Sequence, residues 1–171
     1  QTPPSLLTAE ELEWVASRQE TVFTVGFDPF AGMDSFEFRG EKTGFLHVLL
    51  DDIQKQTGLR LTLADAKSWD DAYNRFVKGR IDILYGANPT SERERIMAFS
   101  RPVRRFPYVV LARKNSSIQT LGDLDGRRIG FIANDFVSEQ LPAEYPNVRF
   151  EKAEYPEQGK ALKELASGTL D

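Results

Sequence analysis

IDILYGANPTSERER, residues 81–95, is the stretch that decides the fold. Its first five residues are mostly apolar and predict a short strand, which ends in a turn over Gly86 and Pro89. Ser91 predicts the N-cap of a new helix, and Glu94 three residues later completes a capping box. Because a helix N-terminus presents unpaired backbone N–H groups, the stretch predicts an anion site.

Arg93 lies in the first turn of that predicted helix. A cation at this position opposes the helix dipole, so the side chain needs an anionic partner. Local sequence leaves two interpretations open. Arg93 is either a surface arginine paired with Glu92 or Glu94, or an arginine that binds a ligand anion.

The chain leading to this stretch alternates between strand-like and helix-like segments. Strands are predicted over residues 22–27, 59–64 and 81–85, and the helices between them end at Gly58 and Gly79. This alternation predicts a parallel sheet with helices on its faces.

Polar and glycine residues follow the predicted strands at the ends where such sheets bind ligands. Asp28 follows the first strand, and Gly86 and Asn88 follow the third. We expect both loops to face one crevice, which favours the ligand-binding interpretation of Arg93.

The composition limits the function classes. Of the 171 residues, 40% are hydrophobic and 28% charged, which is enough apolar material for a folded core. The net charge of −4, with acids and bases interspersed, argues against nucleic acid as a partner. The absence of cysteine excludes disulfides. His47 is the single histidine, and we expect no metal site and no cofactor.

The second half predicts further elements: an extended run over 106–114, strands over 128–132 and 147–151, and helices over 136–141 (closed by Pro142) and 156–166. Residues 76–82 and 165–171 share the pattern apolar-x-x-Gly-x-apolar-Asp. A strand continues after the first copy, so we expect the chain to stop as a strand begins. The cluster of Arg101, Arg104 and Arg105 predicts a solvated basic face.

A series of short motifs runs along the chain in order: VGFD at 25–28, SFEF at 35–38, WD at 69–70, GRID at 79–82, GANPTSER at 86–93 and FSRP at 99–102. Together they resemble the type 2 periplasmic solute-binding proteins of the amino-acid-binding group, family 3. The resemblance implies an α/β protein with the two-lobe Venus flytrap fold, truncated within the second lobe. It puts an N-terminal tail and lead-in helix at 1–19, lobe one at 20–107, and the crossover with part of lobe two at 108–171.

The same resemblance implies a ligand site between the lobes. Arg93 would hold the ligand carboxylate in a bidentate contact, helped by the backbone of Gly86 and the side chain of Asn88. Asp28 would accept a hydrogen bond from the ligand ammonium, and Trp69 would pack against the ligand side chain.

One loop of the implied site departs from the family pattern. Asn134 and Asp135 stand where many members carry a Gly-Thr-Thr-like anion loop. We expect both residues to contact the ligand. The added carboxylate disfavours a second anion contact and favours a cationic or polar ligand.

The predicted lead-in helix over residues 7–15 resembles the one that precedes flytrap sensor modules of membrane-bound histidine kinases or cyclic-di-GMP enzymes. The resemblance therefore implies a periplasmic, extracytoplasmic sensor domain of an inner-membrane protein. Such a domain binds a small amino-acid-like carboxylate and signals to a membrane-anchored module by lobe closure. The sequence does not decide whether the domain is a monomer or a homodimer.

The same fold leaves two alternative functions open. One is a free substrate-binding protein of an ABC amino-acid transporter. The other is a cyclohexadienyl dehydratase-like enzyme, with Glu37 or Asp135 as its general acid or base. No nucleophile motif and no phosphate-cradling glycine loop supports catalysis, so we expect no enzymatic activity.

Overall fold

The computed structural model describes residues 7–171, and the predicted tail at the N-terminus lies outside them. The strands are β1 Val22–Gly26, β2 Phe36–Phe38, β3 Glu41–Thr43, β4 Arg60–Leu63, β5 Ile83–Leu84, β6 Arg128–Ile132 and β7 Glu151–Tyr155. The α-helices are α1 Ala9–Ala16, α2 Phe45–Thr57, α3 Trp69–Val77, α4 Phe136–Glu144 and α5 Gln158–Ser167. Short 3₁₀ turns lie at Arg93–Arg95 and Leu121–Leu124.

The first lobe is built on a parallel sheet in the order β4-β1-β5, as the alternation of strands and helices predicts. Val25 of β1 is fully buried, together with Leu46 of α2 and Ala72 of α3. A Cβ on Gly26, at the end of β1, would lie 2.9 Å from Ile81 Cδ1, so the Ile81 side chain packs closely against this strand end. The ends of β1 and β5 therefore lie side by side, and the loops that follow them leave from the same edge.

The lead-in helix α1 is packed on this lobe. Its first turn forms the predicted capping box, in which the Thr8 hydroxyl accepts from Glu11 N–H at 3.2 Å and the Glu11 carboxylate accepts from Thr8 N–H at 2.7 Å. Trp14 stacks on Phe23 of β1, with 5.8 Å between the ring centroids. The helix is therefore part of the domain surface.

The second lobe contains the parallel pair β6–β7 and repeats a detail of the first. In lobe one the Asp82 carboxylate accepts from Thr24 N–H of β1 at 2.7 Å. In lobe two the Asp171 carboxylate accepts from Arg128 N–H of β6 at 2.9 Å. The short repeat found in the sequence therefore marks the same strand-entry contact in both lobes.

Two predicted element limits in lobe two are wrong. The strand expected over 147–151 corresponds to β7, which begins at Glu151, the first residue that pairs with β6. Phe150 lies just before β7, and its ring centroid is 5.6 Å from that of Phe131 in β6. The helix α4 continues past Pro142 to Glu144, so the proline lies inside the helix although it removes a backbone hydrogen bond.

The connection between the lobes, residues 103–112, forms no strand in the described chain. The predicted extended run therefore has no ladder hydrogen bonds there. At its end the Arg113 guanidinium donates to the carbonyl of Leu165 at 3.0 Å and to that of Leu170, which attaches the connection to lobe two. The exact lobe limits stay a prediction.

Candidate functional site

A cavity of about 120 Å³ lies between the two lobes. Its walls come from the loops after β1 and β5 and from the N-terminal ends of α3 and α4. The lining residues are Asp28, Ala31, Asp34, Trp69, Tyr85, Gly86, Asn88, Arg93, Asp135 and Phe136. All site residues predicted from the sequence line this cavity except Asn134, which contacts Arg93 beside it.

Arg93 is buried, with 1% of its surface exposed, so its interpretation as a surface arginine is wrong. It begins the 3₁₀ turn after β5, where its backbone N–H donates to the Thr90 hydroxyl at 3.2 Å. The predicted capping box of Ser91 and Glu94 is also wrong. The hydroxyl that accepts from Arg93 N–H and the carbonyl that accepts from Glu94 N–H both belong to Thr90. This turn is too short to provide the predicted helix N-terminus for an anion.

The Arg93 guanidinium connects the lobes. Its Nη2 donates to the Glu139 carboxylate of α4 at 2.6 Å and to the Asn134 carbonyl at 2.8 Å. Its Nη1 donates to the Asn88 carbonyl in lobe one at 3.2 Å. Its buried Nε has no hydrogen-bond partner among the described residues. The place predicted for a ligand carboxylate is therefore taken by Glu139.

Asn134 supplies a second link between the lobes. Its backbone has a φ of 56°, in the left-handed region that asparagine tolerates. Trp69 Nε1 donates to the Asn134 carbonyl at 2.6 Å, so this oxygen accepts from Trp69 and Arg93 together. The Asn134 amide donates to Asp70. The predicted contact loop thus binds lobe one through its backbone, and Trp69, 6% exposed, forms part of that contact.

Two carboxylates in the cavity have no basic partner at hydrogen-bonding distance among the described residues. Burial raises the pKa of Asp28, and the charges of Asp135 and Asp34 raise it further against the opposing effect of the Phe30 N–H. Burial also raises the pKa of Asp135, which is the N-cap of α4. A positive charge bound close to both carboxylates would favour their ionised forms and so lower these pKa values.

Replacing Asp28 with asparagine should raise the melting temperature at pH 7. Because the folded-state pKa of Asp28 lies above its ordinary value of 3.8, its ionisation costs stability as the pH rises from that value through the folded-state pKa. The asparagine oxygen can still accept the Phe30 N–H, which lies 2.9 Å away. Differential scanning fluorimetry should show a gain that shrinks as the pH approaches 3.8. A gain independent of pH would contradict the electrostatic explanation.

Asn88 and Gly86 shape the wall next to the connection between the lobes. Gly86 has a φ of 82°, which turns the chain after β5. The Asn88 amide donates to the Tyr108 hydroxyl at 3.0 Å, and the Tyr108 ring lies 5.9 Å from that of Phe136. Burial raises the pKa of Tyr108 to about 12, so the phenol stays protonated. The side chain of Asn88 therefore faces Tyr108 rather than Arg93.

A second ion pair closes the other side of the cavity. Arg104 binds the Asp34 carboxylate, and its guanidinium lies over the rings of Phe45 at 4.7 Å and Phe106 at 3.9 Å. The Tyr85 hydroxyl donates to Asp34 at 3.0 Å. The predicted solvated basic face is thus wrong for Arg104, whose half-buried side chain packs on aromatic rings and pairs with Asp34.

The described residues, 7–171, contain no group of His, Asp and Glu side chains that could hold a metal ion. His47 lies on α2, where its Nε2 is 2.9 Å from the Ser35 hydroxyl.

Comparison with known proteins assigns the family. The model of bacterial extracellular solute-binding proteins, family 3, matches residues 23–171. The chain belongs to this family. Its fold is the two-lobe Venus flytrap fold of periplasmic binding proteins, as predicted, and the family places such domains outside the cytoplasm.

The virulence sensor protein BvgS of Bordetella bronchiseptica is 25% identical over 165 residues, which is 96% of this chain and 13% of BvgS. A probable histidine-binding protein of Campylobacter jejuni is 30% identical over 108 residues, covering 62% of this chain and 42% of that protein. The periplasmic VFT2 domain of Bordetella pertussis BvgS has a TM-score of 0.76 at 22% identity, over 98% of this chain and 71% of that domain. The chain therefore spans less than half of these curated relatives.

The family 3 motifs led to Asp28, Trp69, Gly86, Asn88 and Arg93, but the sequence reading missed the partners that hold the site. Glu139, Asp34 and Tyr85 line or border the cavity without belonging to any motif. One signal was available for Glu139. It lies four residues after Asp135, so both carboxylates fall on one face of α4.

Proposed function

We propose that this family 3 chain is the ligand-binding domain of an extracytoplasmic sensor. It binds a small amino-acid-like solute in the cleft between the lobes and signals to a membrane-anchored module by lobe closure. The observation that carries the proposal is the buried Arg93, which lines the cavity in lobe one and contacts Asn134 and Glu139 of lobe two. A solute bound in this cavity touches both lobes and changes the balance between open and closed states.

The lead-in helix supports a sensor over a free transporter protein. Trp14 of α1 stacks on β1, and Gln19, just after the helix, donates to the Thr57 carbonyl at the end of α2 at 3.2 Å. A movement of lobe one therefore also moves the helix that precedes it. The likeness to BvgS extends over 96% of the chain and includes this segment. The similarity to the probable histidine-binding protein of C. jejuni supports a free substrate-binding protein of a transporter as the second candidate function.

We propose no catalytic role for this cavity. Glu37 is exposed on the β2–β3 hairpin and does not line the cavity. Asp135 accepts the Val137 N–H at 2.9 Å as the helix cap, so a proton on its carboxyl would weaken the start of α4. Turnover of prephenate or arogenate by the purified protein would contradict this part of the proposal.

The proposal is tested by a thermal-shift screen of amino acids, their amines and small organic acids, followed by small-angle scattering. A ligand at about 100 times its Kd stabilises the folded state by about 2.7 kcal/mol, a shift that fluorimetry detects easily. Saturation with the strongest hit should also reduce the radius of gyration or lock an already compact state against opening. If no member of the screen shifts the melting temperature, the proposed function is wrong.

A further inference from the structure

We infer that Glu139 takes the place of a ligand carboxylate, so that the cleft selects a small amine or guanidine that carries no carboxylate of its own. This inference rests on the proposed solute-binding function and names the class of solute. It would make Glu139, a residue of lobe two, the determinant of specificity at a site whose arginine belongs to lobe one.

The first step is the hydrogen-bonding capacity of Arg93. A guanidinium binds a carboxylate in a bidentate way through its end, using Nη1 and Nη2, or through its side, using Nε and Nη2. Both arrangements need a hydrogen of Nη2. In this structure Nη2 donates to Glu139 at 2.6 Å and to the Asn134 carbonyl at 2.8 Å. Neither bidentate face is therefore free for an incoming carboxylate.

The second step is the burial of this pair. Arg93 is 1% exposed and the side chain of Glu139 is 30% exposed, so the guanidinium is shielded from water while its partner reaches it from α4. A ligand carboxylate would have to displace Glu139 and leave that charge close to Asp135, on the same helix face. The Glu139 carboxylate would lose its cation while remaining partly buried, so this exchange is unfavourable.

The third step is the charge that remains in the cavity. Glu139 neutralises Arg93, and Arg104 neutralises Asp34. Among the charged side chains that line the cavity, Asp28 and Asp135 are left without a basic partner. A positive group bound in the cavity is attracted by both carboxylates, whereas the carboxylate of an amino acid adds a further negative charge.

The fourth step is the shape of the remaining wall. Trp69 and Phe136 line the same cavity and provide aromatic faces, and Ala31 provides a small apolar contact. Aromatic faces attract cations and pack against methylene chains or a flat guanidinium or imidazole ring. The lining therefore provides attractive contacts for each part of an amine, whereas its arginine offers a carboxylate the unpartnered Nε but no complete bidentate face.

The test compares molecules that differ only by a carboxylate: histamine with histidine, agmatine with arginine, and cadaverine with lysine. Isothermal titration calorimetry on the purified protein should show at least one amine that binds about 10-fold or more tightly than its parent amino acid. Glu139→Ala frees an Nη2 hydrogen of Arg93, so it should reverse that preference or reduce it to about equality.

Two further variants keep the result interpretable. Glu139→Gln retains an oxygen that accepts from Arg93 Nη2 and should fold even if Glu139→Ala does not. It should reduce the discrimination, because a neutral amide is displaced by a carboxylate more easily than the Glu139 carboxylate is. Glu144→Ala removes an exposed acid from the same helix and should leave the preference unchanged.

The outcomes separate this inference from the proposed function. An amino acid that binds more tightly than its amine to the unmodified protein overturns the inference and leaves solute binding standing. Discrimination that survives in both Glu139 variants also overturns it. If neither the amines nor the amino acids bind, the inference and the proposed function fail together.

Discussion

Replacing Arg93 with methionine should lower the free energy of unfolding by about 3 kcal/mol, because it removes one partner of a buried ion pair. The Glu139 carboxylate would lose its 2.6 Å contact, and the Asn134 and Asn88 carbonyls would each lose a donor. The contact of the guanidinium with the Tyr73 ring, at 5.3 Å, would also disappear. For a protein of this size the melting temperature should fall by about 10 °C.

The matched experiment is a double-mutant cycle with Glu139→Met. Removing both charges leaves no unpaired ion, so the double variant should be more stable than Arg93→Met alone. Urea denaturation followed by tryptophan fluorescence measures all four proteins, and Trp69 lies in the affected contact. A double variant whose loss equals the sum of the two single losses would show that Arg93 and Glu139 are not coupled.

The second large effect is expected at Arg104. Replacing it with methionine should cost about 2 kcal/mol, since a hydrogen bond to a charged and largely buried partner is lost. The Asp34 carboxylate would keep the Tyr85 hydroxyl as a donor but lose its cation. Loss of the stacking on Phe45 and Phe106 adds to the effect.

Arg105 provides the control for this change, because it is the next residue and is exposed. Arg105→Met should change the free energy of unfolding by less than about 0.5 kcal/mol. Thermal and urea denaturation of both variants under the same buffer conditions measures the difference. Equal effects at the two arginines would contradict a stabilising role for the half-buried ion pair between Arg104 and Asp34.

Local patterns in the sequence were sufficient for the framework of lobe one. The β-branched and apolar runs before Asp28 and Gly86 predict β1 and β5, and the helices between the strands require these to be parallel. That placement brings both loops to one edge, so Arg93 and Asp28 could be assigned to a common cavity. The cap predicted at Ser91 is wrong because the segment is only a 3₁₀ turn, Arg93–Arg95, and the hydroxyl that accepts from Arg93 N–H belongs to Thr90.

Long-range contacts explain what the sequence did not reveal. Glu139 reaches Arg93 across 46 positions of the chain, and no local pattern records such a contact. Arg104 was assigned to the surface because its neighbours are charged, while its partner Asp34 lies 70 positions away. The start of β7 depended on its pairing with β6 rather than on the apolar residues that precede it.

The shared carbonyl of Asn134 has a further consequence for how the cleft moves. One oxygen accepts from Trp69 Nε1 and from Arg93 Nη2, and both donors belong to lobe one. When the lobes separate and this oxygen moves away, both hydrogen bonds break in the same step. A partly opened form therefore keeps neither of them. Opening is therefore expected to be cooperative.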